Sequence, residues 1–101
     1  MEMRPYGYRR DKMQIVIDML QTVKDCDGIG RTKLMNAGNA NYADSTRRLN
    51  KLLELKYVNK QQAITYKGKK SRLYVYHITH EGEVFLEELK AMYRKIEALG
   101  L

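Results

Sequence analysis

Apolar residues recur along the chain at two spacings, one typical of helices and one typical of strands. Over residues 9–24 they stand three or four positions apart, which predicts a first helix with one apolar stripe. That stripe comprises Met13, Val16, Ile17, Leu20 and Val23. Ile15 and Met19 fall on the other side of this helix. A helix that is apolar on two sides usually packs against two neighbours, and we expect the same here.

Glycine and a capping residue divide the next part of the chain. Gly28 and Gly30 are natural ends for the first helix, and Ile29 between them is predicted to form a single-rung strand. A second helix is predicted over 32–37. Thr32 is its predicted N-cap, because a threonine hydroxyl can accept from the N–H groups of the first turn.

A turn, a third helix and a hairpin follow. The sequence GNAN at 38–41 predicts the turn, and Asn41 is predicted to cap a helix over 42–55. Two runs rich in β-branched and aromatic residues, 58–66 and 72–79, are predicted to be strands. The tight turn KGKKS joins them into a hairpin.

The last helix is predicted over 80–99, with Thr79 as its cap. The predicted order is helix, strand, helix, helix, strand, strand, helix, without internal repeats or linkers. We therefore expect one α+β domain over residues 1–101. Two helices joined by a short turn and followed by a basic hairpin are the outline of a winged helix-turn-helix domain.

The third predicted helix changes character halfway along its length. In ANYADSTRRLNKLLELKYV, residues 40–58, the first half is polar and the second half is rich in leucine. The leucines can pack on the protein's own core, but the polar front has no such role. The pattern predicts that something outside the domain contacts the front of this helix.

The composition fits a small soluble domain. The chain has 101 residues, of which 44% are hydrophobic and 31% are charged. No apolar run approaches the length of a membrane span, and the charged start lacks the apolar middle of a signal peptide. Cys26 is the single cysteine, so a disulfide framework is excluded and a reducing compartment is favoured. We therefore expect a cytoplasmic protein with no membrane partner.

The charge is positive and unevenly distributed. Nineteen Lys and Arg residues against twelve Asp and Glu residues give a formal net charge of +7. Residues 55–80 contain no acidic residue, whereas the stretch from residue 81 onward is acidic. A basic region in so small a domain favours a nucleic-acid partner over an ordinary solvated surface.

Two motifs resemble a known family. TKLMNAGNANYADSTRRLNKLLELKYV and YHITHEGEVFLEEL are similar to motifs of small archaeal winged-helix DNA-binding proteins. This family comprises transcription regulators and chromatin proteins that dimerise through a C-terminal coiled-coil helix. The resemblance spans residues 10–95. The sequence departs from the family pattern at Gly38, Ala40, Ser45 and Lys56, the last of which stands where the family usually has glycine.

This resemblance implies that the third helix enters the major groove of DNA and that the hairpin is a wing. In such a docking Arg47 can bridge guanine acceptors, Arg48 or Lys51 can hold phosphates, and Asp44 can accept from cytosine. The alternative is an ordinary solvated face, but the like-charged pair Arg47 and Lys51 offers no intramolecular reason for the cluster. The residues predicted to contact DNA are Arg31, Lys33, Asn41, Tyr42, Asp44, Ser45, Arg47, Arg48, Lys51, Lys67, Lys69, Lys70 and Arg72.

The last helix is predicted to join two subunits. It carries two apolar seams at heptad spacing, so one seam can cover its own domain and the other a partner. The alternative is that both seams belong to the core of the monomer. In the predicted dimer, residues of about 9–79 bind DNA and residues of about 80–99 form the dimerisation helix. The predicted interface residues are Ile15, Met19, Phe85, Leu86, Leu89, Met92, Tyr93 and Ile96.

Catalysis finds little support in the sequence. Cys26, His77 and His80 do not complete a four-ligand zinc site, and neither a P-loop nor a dinucleotide glycine pattern is present. We expect no enzyme, no metal and no cofactor. The predicted function is sequence-specific binding of double-stranded DNA as a homodimeric transcription regulator. The alternatives are an architectural chromatin-type protein and a winged helix that binds an acidic protein.

Overall fold

Four helices and one small sheet make up the fold. The computed structural model describes residues 12–26, 28–38, 41–64, 67–68 and 70–100, and the side chains of 70–72 lie outside that description. The elements are α1 (Lys12–Asp25), β1 (Ile29–Gly30), α2 (Arg31–Ala37), α3 (Tyr42–Glu54), β2 (Val58–Ile64), β3 (Lys70–Ile78) and α4 (His80–Ala98). This is the predicted order. No helix in the described ranges combines the length and the apolar character that crossing a membrane requires.

The sheet has the order β1-β3-β2, and both pairs of neighbouring strands are antiparallel. Ile29 lies opposite Tyr76, which confirms the short first strand. Val58 and Tyr76 are buried, so one face of the sheet near its base covers the core. Towards the turn the hairpin does not cover the core, and there Leu73 and Ile64 are exposed.

Two of the three predicted caps are confirmed. The Asn41 side chain accepts from the Asp44 N–H at 2.8 Å, and the Thr79 hydroxyl accepts from the Gly82 N–H at 2.9 Å. The prediction for Thr32 is wrong, because α2 begins one residue earlier with Gly30 as its N-cap and without a side-chain cap.

Helix α1 is buried on two sides by its own chain. It contacts α2, α4 and β3, and Ile15 and Met19 lie in the core. A Cβ at Gly38 would stand 3.2 Å from side-chain atoms of both residues, so α2 ends directly against them. The prediction that Ile15 and Met19 form a dimer interface is therefore wrong. Gly38 has φ −74°, so glycine serves close packing here rather than a left-handed turn.

Helix α4 lies along α1. Leu86 is fully buried, Leu89 and Tyr93 are half-buried against the core, and Phe85 stacks on Tyr57 with ring centres 4.3 Å apart. Leu86 therefore belongs to the core of its own domain, and its prediction as an interface residue is wrong. The predicted seam that contains Leu86 therefore packs against the core of its own domain.

The C-terminus of α3 is closed by a residue in a left-handed conformation. Lys56 has φ +66°, its N–H donates to Leu53 O at 3.1 Å, and the Tyr57 N–H donates to Leu52 O at 2.9 Å. These two hydrogen bonds form a Schellman motif, in which glycine is the usual residue at the left-handed position. The departure from the family glycine noted in the sequence therefore carries a conformational cost.

We expect Lys56→Gly to raise the free energy of unfolding by about 0.5–1 kcal/mol, because relief of the left-handed strain exceeds the entropy cost of glycine. Urea unfolding at a fixed protein concentration measures this difference. Lys56→Ala is the matched control, since it removes the charge but keeps a Cβ. Equal stability of Lys56→Gly and Lys56→Ala would contradict the explanation.

Candidate nucleic-acid interface

Helix α3 has one buried face and one exposed polar face. Ser45, Leu49 and Leu52 are buried, which explains the leucine-rich half of the sequence. The opposite, exposed face carries Ala43, Arg47, Asn50, Lys51 and Glu54. A solvent-facing strip of polar side chains on a helix beside a basic hairpin is the arrangement that a DNA groove can accept.

Arg47 is held at the front of α3 by a carboxylate. Its Nη2 lies 2.7 Å from Asp44 Oδ1, and the Asn41 amide donates to the other carboxylate oxygen at 3.0 Å. The hydrogen bond from Arg47 holds the pKa of Asp44 below its ordinary value, with a smaller contribution from the charge of Arg48. Asp44 is therefore ionised near neutral pH and restrains the direction of the Arg47 guanidinium.

Two of the three basic residues of α3, Arg47 and Lys51, have intramolecular partners that were not predicted. Arg47 pairs with Asp44, and Lys51 Nζ lies 3.1 Å from Glu54 Oε1, each three residues away. The inference that the cluster has no intramolecular partner is therefore wrong. Both observed pairs join residues three apart, whereas Arg47 and Lys51 are four apart. Both pairs are solvent-exposed, so each contributes little to stability.

Arg31 connects the start of α2 to the start of α3. Its Nη2 donates to the Tyr42 hydroxyl at 3.4 Å, and the guanidinium carbon lies 6.0 Å from the ring centre of Tyr42. Tyr42 is 69% exposed. Hydrogen bonds to the hydroxyls of Tyr42 and Tyr76 raise the pKa of Arg31, and the guanidinium lowers the pKa of Tyr42. A cation and an aromatic hydroxyl thus stand together beside the N-terminus of α3.

Ser45 and Arg48 differ from the rest of the predicted set. Ser45 is only 1% exposed, because it lies on the core side of α3. Its prediction as a DNA contact is therefore wrong. Arg48 is half-buried on the flank of the helix, and its Nη1 is buried without a hydrogen-bond partner among the described residues. Lys33 is exposed on α2.

The hairpin carries the strongest concentration of positive charge. Lys67 is exposed beside Gly68, whose φ of +80° makes the tight turn. Lys69 and the side chains of Lys70 and Arg72 lie outside the described residues. A further lysine, absent from the predicted set, stands nearer the base of the hairpin: the Lys60 Nζ lies 4.6 Å from the ring centre of Tyr74.

Asn50 is an exposed, uncharged polar residue of α3 that the predicted set does not include. It follows Arg47 by three positions, so both lie on the same face of the helix. That spacing was readable from the sequence, although the predicted set does not include Asn50. Within the described part of the chain, no three His, Cys, Asp or Glu side chains come together as a metal site would require.

A family model described as winged helix-turn-helix matches residues 9–97, nearly the whole chain. The chain belongs to the winged helix-turn-helix family. In the nomenclature of this fold, α2 and α3 form the helix-turn-helix and the β2–β3 hairpin is the wing. No curated protein matches the sequence.

Several solved structures share the winged helix-turn-helix fold of this chain. Sso10a-2, a DNA-binding protein from Sulfolobus solfataricus, is 21% identical, with a TM-score of 0.70 over 89% of this chain and 85% of that one. The protein smu.1704 from Streptococcus mutans UA159 is 17% identical, with a TM-score of 0.73 over the same shares. TA0346 from Thermoplasma acidophilum, a proposed transcriptional regulator, is 23% identical, with a TM-score of 0.58 over 85% and 89%. At these identities the likeness concerns the fold.

The contact between Arg31 and Tyr42 predicts a shifted tyrosine titration. We expect Arg31→Met to raise the pKa of Tyr42 towards its ordinary value of 10.0, because the tyrosinate loses a hydrogen-bond donor and a nearby cation. NMR titration of protein with 13C-labelled tyrosine rings measures this pKa directly. Arg47→Met is the matched control and should leave the pKa of Tyr42 in place. A pKa of Tyr42 that does not change in Arg31→Met would rule the contact out in solution.

Proposed function

We propose that this protein binds double-stranded DNA as a homodimeric, sequence-specific transcription regulator. The recognition helix α3 enters the major groove, the wing grips the phosphate backbone and α4 joins the subunits. The observation that carries the proposal is the exposed face of α3, where Arg47 is directed outward and restrained by Asp44.

Two of the structurally similar proteins support a DNA partner. Sso10a-2 is described as a DNA-binding protein and TA0346 as a proposed transcriptional regulator. The net charge of +7 supports the same partner, since a duplex attracts basic domains through counterion release. Binding of an acidic protein, the alternative, would not explain why an arginine on the exposed face of α3 is held in one direction.

The exposed face of α3 carries an arginine that can bind a base and a carboxylate that limits where the helix can bind. Arginine is the residue most often used to read guanine, through two hydrogen bonds in the major groove. Asp44 occupies one guanidinium nitrogen of Arg47 and leaves its other N–H groups available. The same carboxylate repels phosphate, so it disfavours placement of α3 against the backbone. Arg48 and Lys51 flank this position and are proposed to hold phosphates, whereas Asn41 and Tyr42 are proposed to contact a phosphate or an adenine edge.

The backbone contacts are assigned mainly to the wing. Lysine contacts to phosphate supply affinity without sequence information. Arg31 and Lys33 at the start of α2 are proposed to add two further backbone contacts. The proposed wing contacts are Lys60, Lys67, Lys69, Lys70 and Arg72.

The proposed dimer uses the face of α4 that its own domain leaves uncovered. Residues 84, 88, 91, 95 and 98 stand alternately four and three apart along the side opposite Leu86, which is the heptad spacing of a helix pair. Val84 is 46% exposed, and Met92 and Leu99 beside this strip are 50% and 72% exposed. Of the predicted interface residues, Phe85, Leu89, Tyr93 and Ile96 retain only partial exposure.

The charges on α4 favour an antiparallel direction for the two helices of the proposed dimer. A two-fold axis between residues 91 and 92 of antiparallel helices places Glu88 opposite the partner's Lys95, and Val84 opposite the partner's Leu99. A parallel pair would instead place Glu88 against its own copy and Lys95 against its own copy. Opposite charges that face each other across a helix pair favour one orientation in this way, so we favour the antiparallel arrangement.

Sequence reading is tested by comparing Arg47→Ala with the intact protein on a duplex selected from a random pool, at physiological salt. We expect the intact protein to prefer this duplex over a scrambled one by about a thousandfold. Arg47→Ala should reduce the preference by about 1–3 kcal/mol, because the bidentate guanine contact is lost. Arg94→Ala on α4 removes an equal charge and should leave the preference unchanged. Equal, steeply salt-dependent binding to both duplexes would favour the architectural alternative, and absence of binding would favour the protein-interaction module.

The antiparallel dimer is tested by charge exchange on α4. We expect Lys95→Glu to weaken dimerisation by about tenfold, because both symmetric pairs become like-charged. The double variant Glu88→Lys with Lys95→Glu should restore it. Sedimentation equilibrium measures the dissociation constant, and Arg94→Glu is the control on the neighbouring side of α4. A monomeric wild-type protein, or a double variant no tighter than Lys95→Glu, would overturn this arrangement.

A further inference from the structure

We infer that Asn50 is a second base-reading residue and that the half-site contains an A·T base pair beside the G·C pair read by Arg47. This inference rests on the proposed function and names the DNA sequence class that the recognition helix would select. Three features of Asn50 support it. These are its position on α3, the exposure of its side chain without a side-chain hydrogen bond, and the donor and acceptor groups of its amide.

The position of Asn50 places it one step further along the groove-facing strip than Arg47. Three residues of α-helix advance about 4.5 Å along the axis and turn back to nearly the same side. Successive bases of a strand are separated by about 3.4 Å. A helix lying in the groove with Arg47 at one base pair therefore brings Asn50 to the next pair or the one after it.

The Asn50 side chain is exposed and uncommitted. Its amide makes no side-chain hydrogen bond to any described residue, whereas Arg47 and Lys51 on the same face each hold an acidic partner. Asparagine is a poor residue for the interior of a helix, because its amide competes with the backbone for hydrogen bonds. Asn50 neither caps α3 nor packs in the core, so the folded subunit itself gives no reason for asparagine at this position.

The amide suits adenine. Asparagine can accept from adenine N6 and donate to adenine N7 at once, a pairing that the major-groove edges of the other bases do not offer. Ala43, one turn before Arg47, is exposed on the same strip and adds only a methyl group. Arg47 and Asn50 therefore have the hydrogen-bonding groups to distinguish two neighbouring base pairs, with the guanine of one and the adenine of the other as their targets.

Selection from a random duplex pool, followed by sequencing of the bound fraction, tests the inference position by position. The full-length protein should enrich a G·C and an A·T pair within two positions of each other. Asn50→Ala should reduce the preference at the A·T position by about 5- to 150-fold and leave the G·C position intact. Arg47→Ala should do the reverse. Lys51→Ala is the control on the same face and should lower overall affinity without changing either preference.

Asn50→Leu separates base reading from folding. Leucine has nearly the size of asparagine and is a stronger helix former, so the helix persists while both hydrogen bonds to adenine are lost. Loss of the A·T preference in Asn50→Leu, as in Asn50→Ala, would support the inference. A wild-type profile in both Asn50 variants would overturn it and leave the proposed function standing. Failure of the wild-type protein to enrich any sequence would overturn the proposed function together with this inference.

Discussion

The first turn of α4 lies against the carbonyl oxygen of Tyr57, and the arrangement of the other elements depends on this contact. A Cβ at Gly82 would overlap that oxygen, so only glycine allows the helix to start so close to the chain that leaves α3. The same carbonyl accepts from the Thr79 N–H at 3.1 Å, and the Thr79 hydroxyl donates to Lys56 O at 2.7 Å. The identities of two residues in the segment from Ile78 to Gly82 are therefore explained. Thr79 caps α4 and also hydrogen-bonds the turn after α3, and Gly82 leaves room for the Tyr57 carbonyl oxygen.

This junction joins α3, the proposed recognition helix, to α4, the helix proposed to join the subunits. The left-handed residue Lys56 ends α3, and its carbonyl is held by the threonine that starts α4. From there α4 runs over α1, where the Lys24 Nζ lies 3.7 Å from Glu87 Oε2. In the proposed dimer the separation and tilt of the two recognition helices follow from this short connection. A dimer of this class places them about one turn of DNA, roughly 34 Å, apart.

The sequence predicted the elements and their order well, because caps, strand composition and periodicity are local signals. The caps Asn41 and Thr79 and the short strand at Ile29 are examples. The sequence did not predict whether an apolar helix face is covered by the same subunit or by a partner subunit. Periodicity showed that Ile15 and Met19 form a second apolar side of α1, but it could not show that α2 of the same subunit covers them. For the candidate site, the basic residues of α3 were found, whereas the restraint of Arg47 by Asp44 required side-chain geometry.

The charges of the two candidate DNA-facing elements are distributed unequally, and this bears on the choice between a regulator and an architectural protein. Residues 58–78 of the wing contain five basic residues and no acidic one, whereas α3 has three basic residues and two acidic ones, Asp44 and Glu54. An architectural protein gains from positive charge over its whole DNA-facing surface, because its affinity comes from phosphates. A recognition helix with acidic residues forgoes part of that attraction and binds well only where base contacts compensate. In the proposed function the wing thus supplies affinity and α3 supplies selection, which is the division expected of a protein that reads sequence.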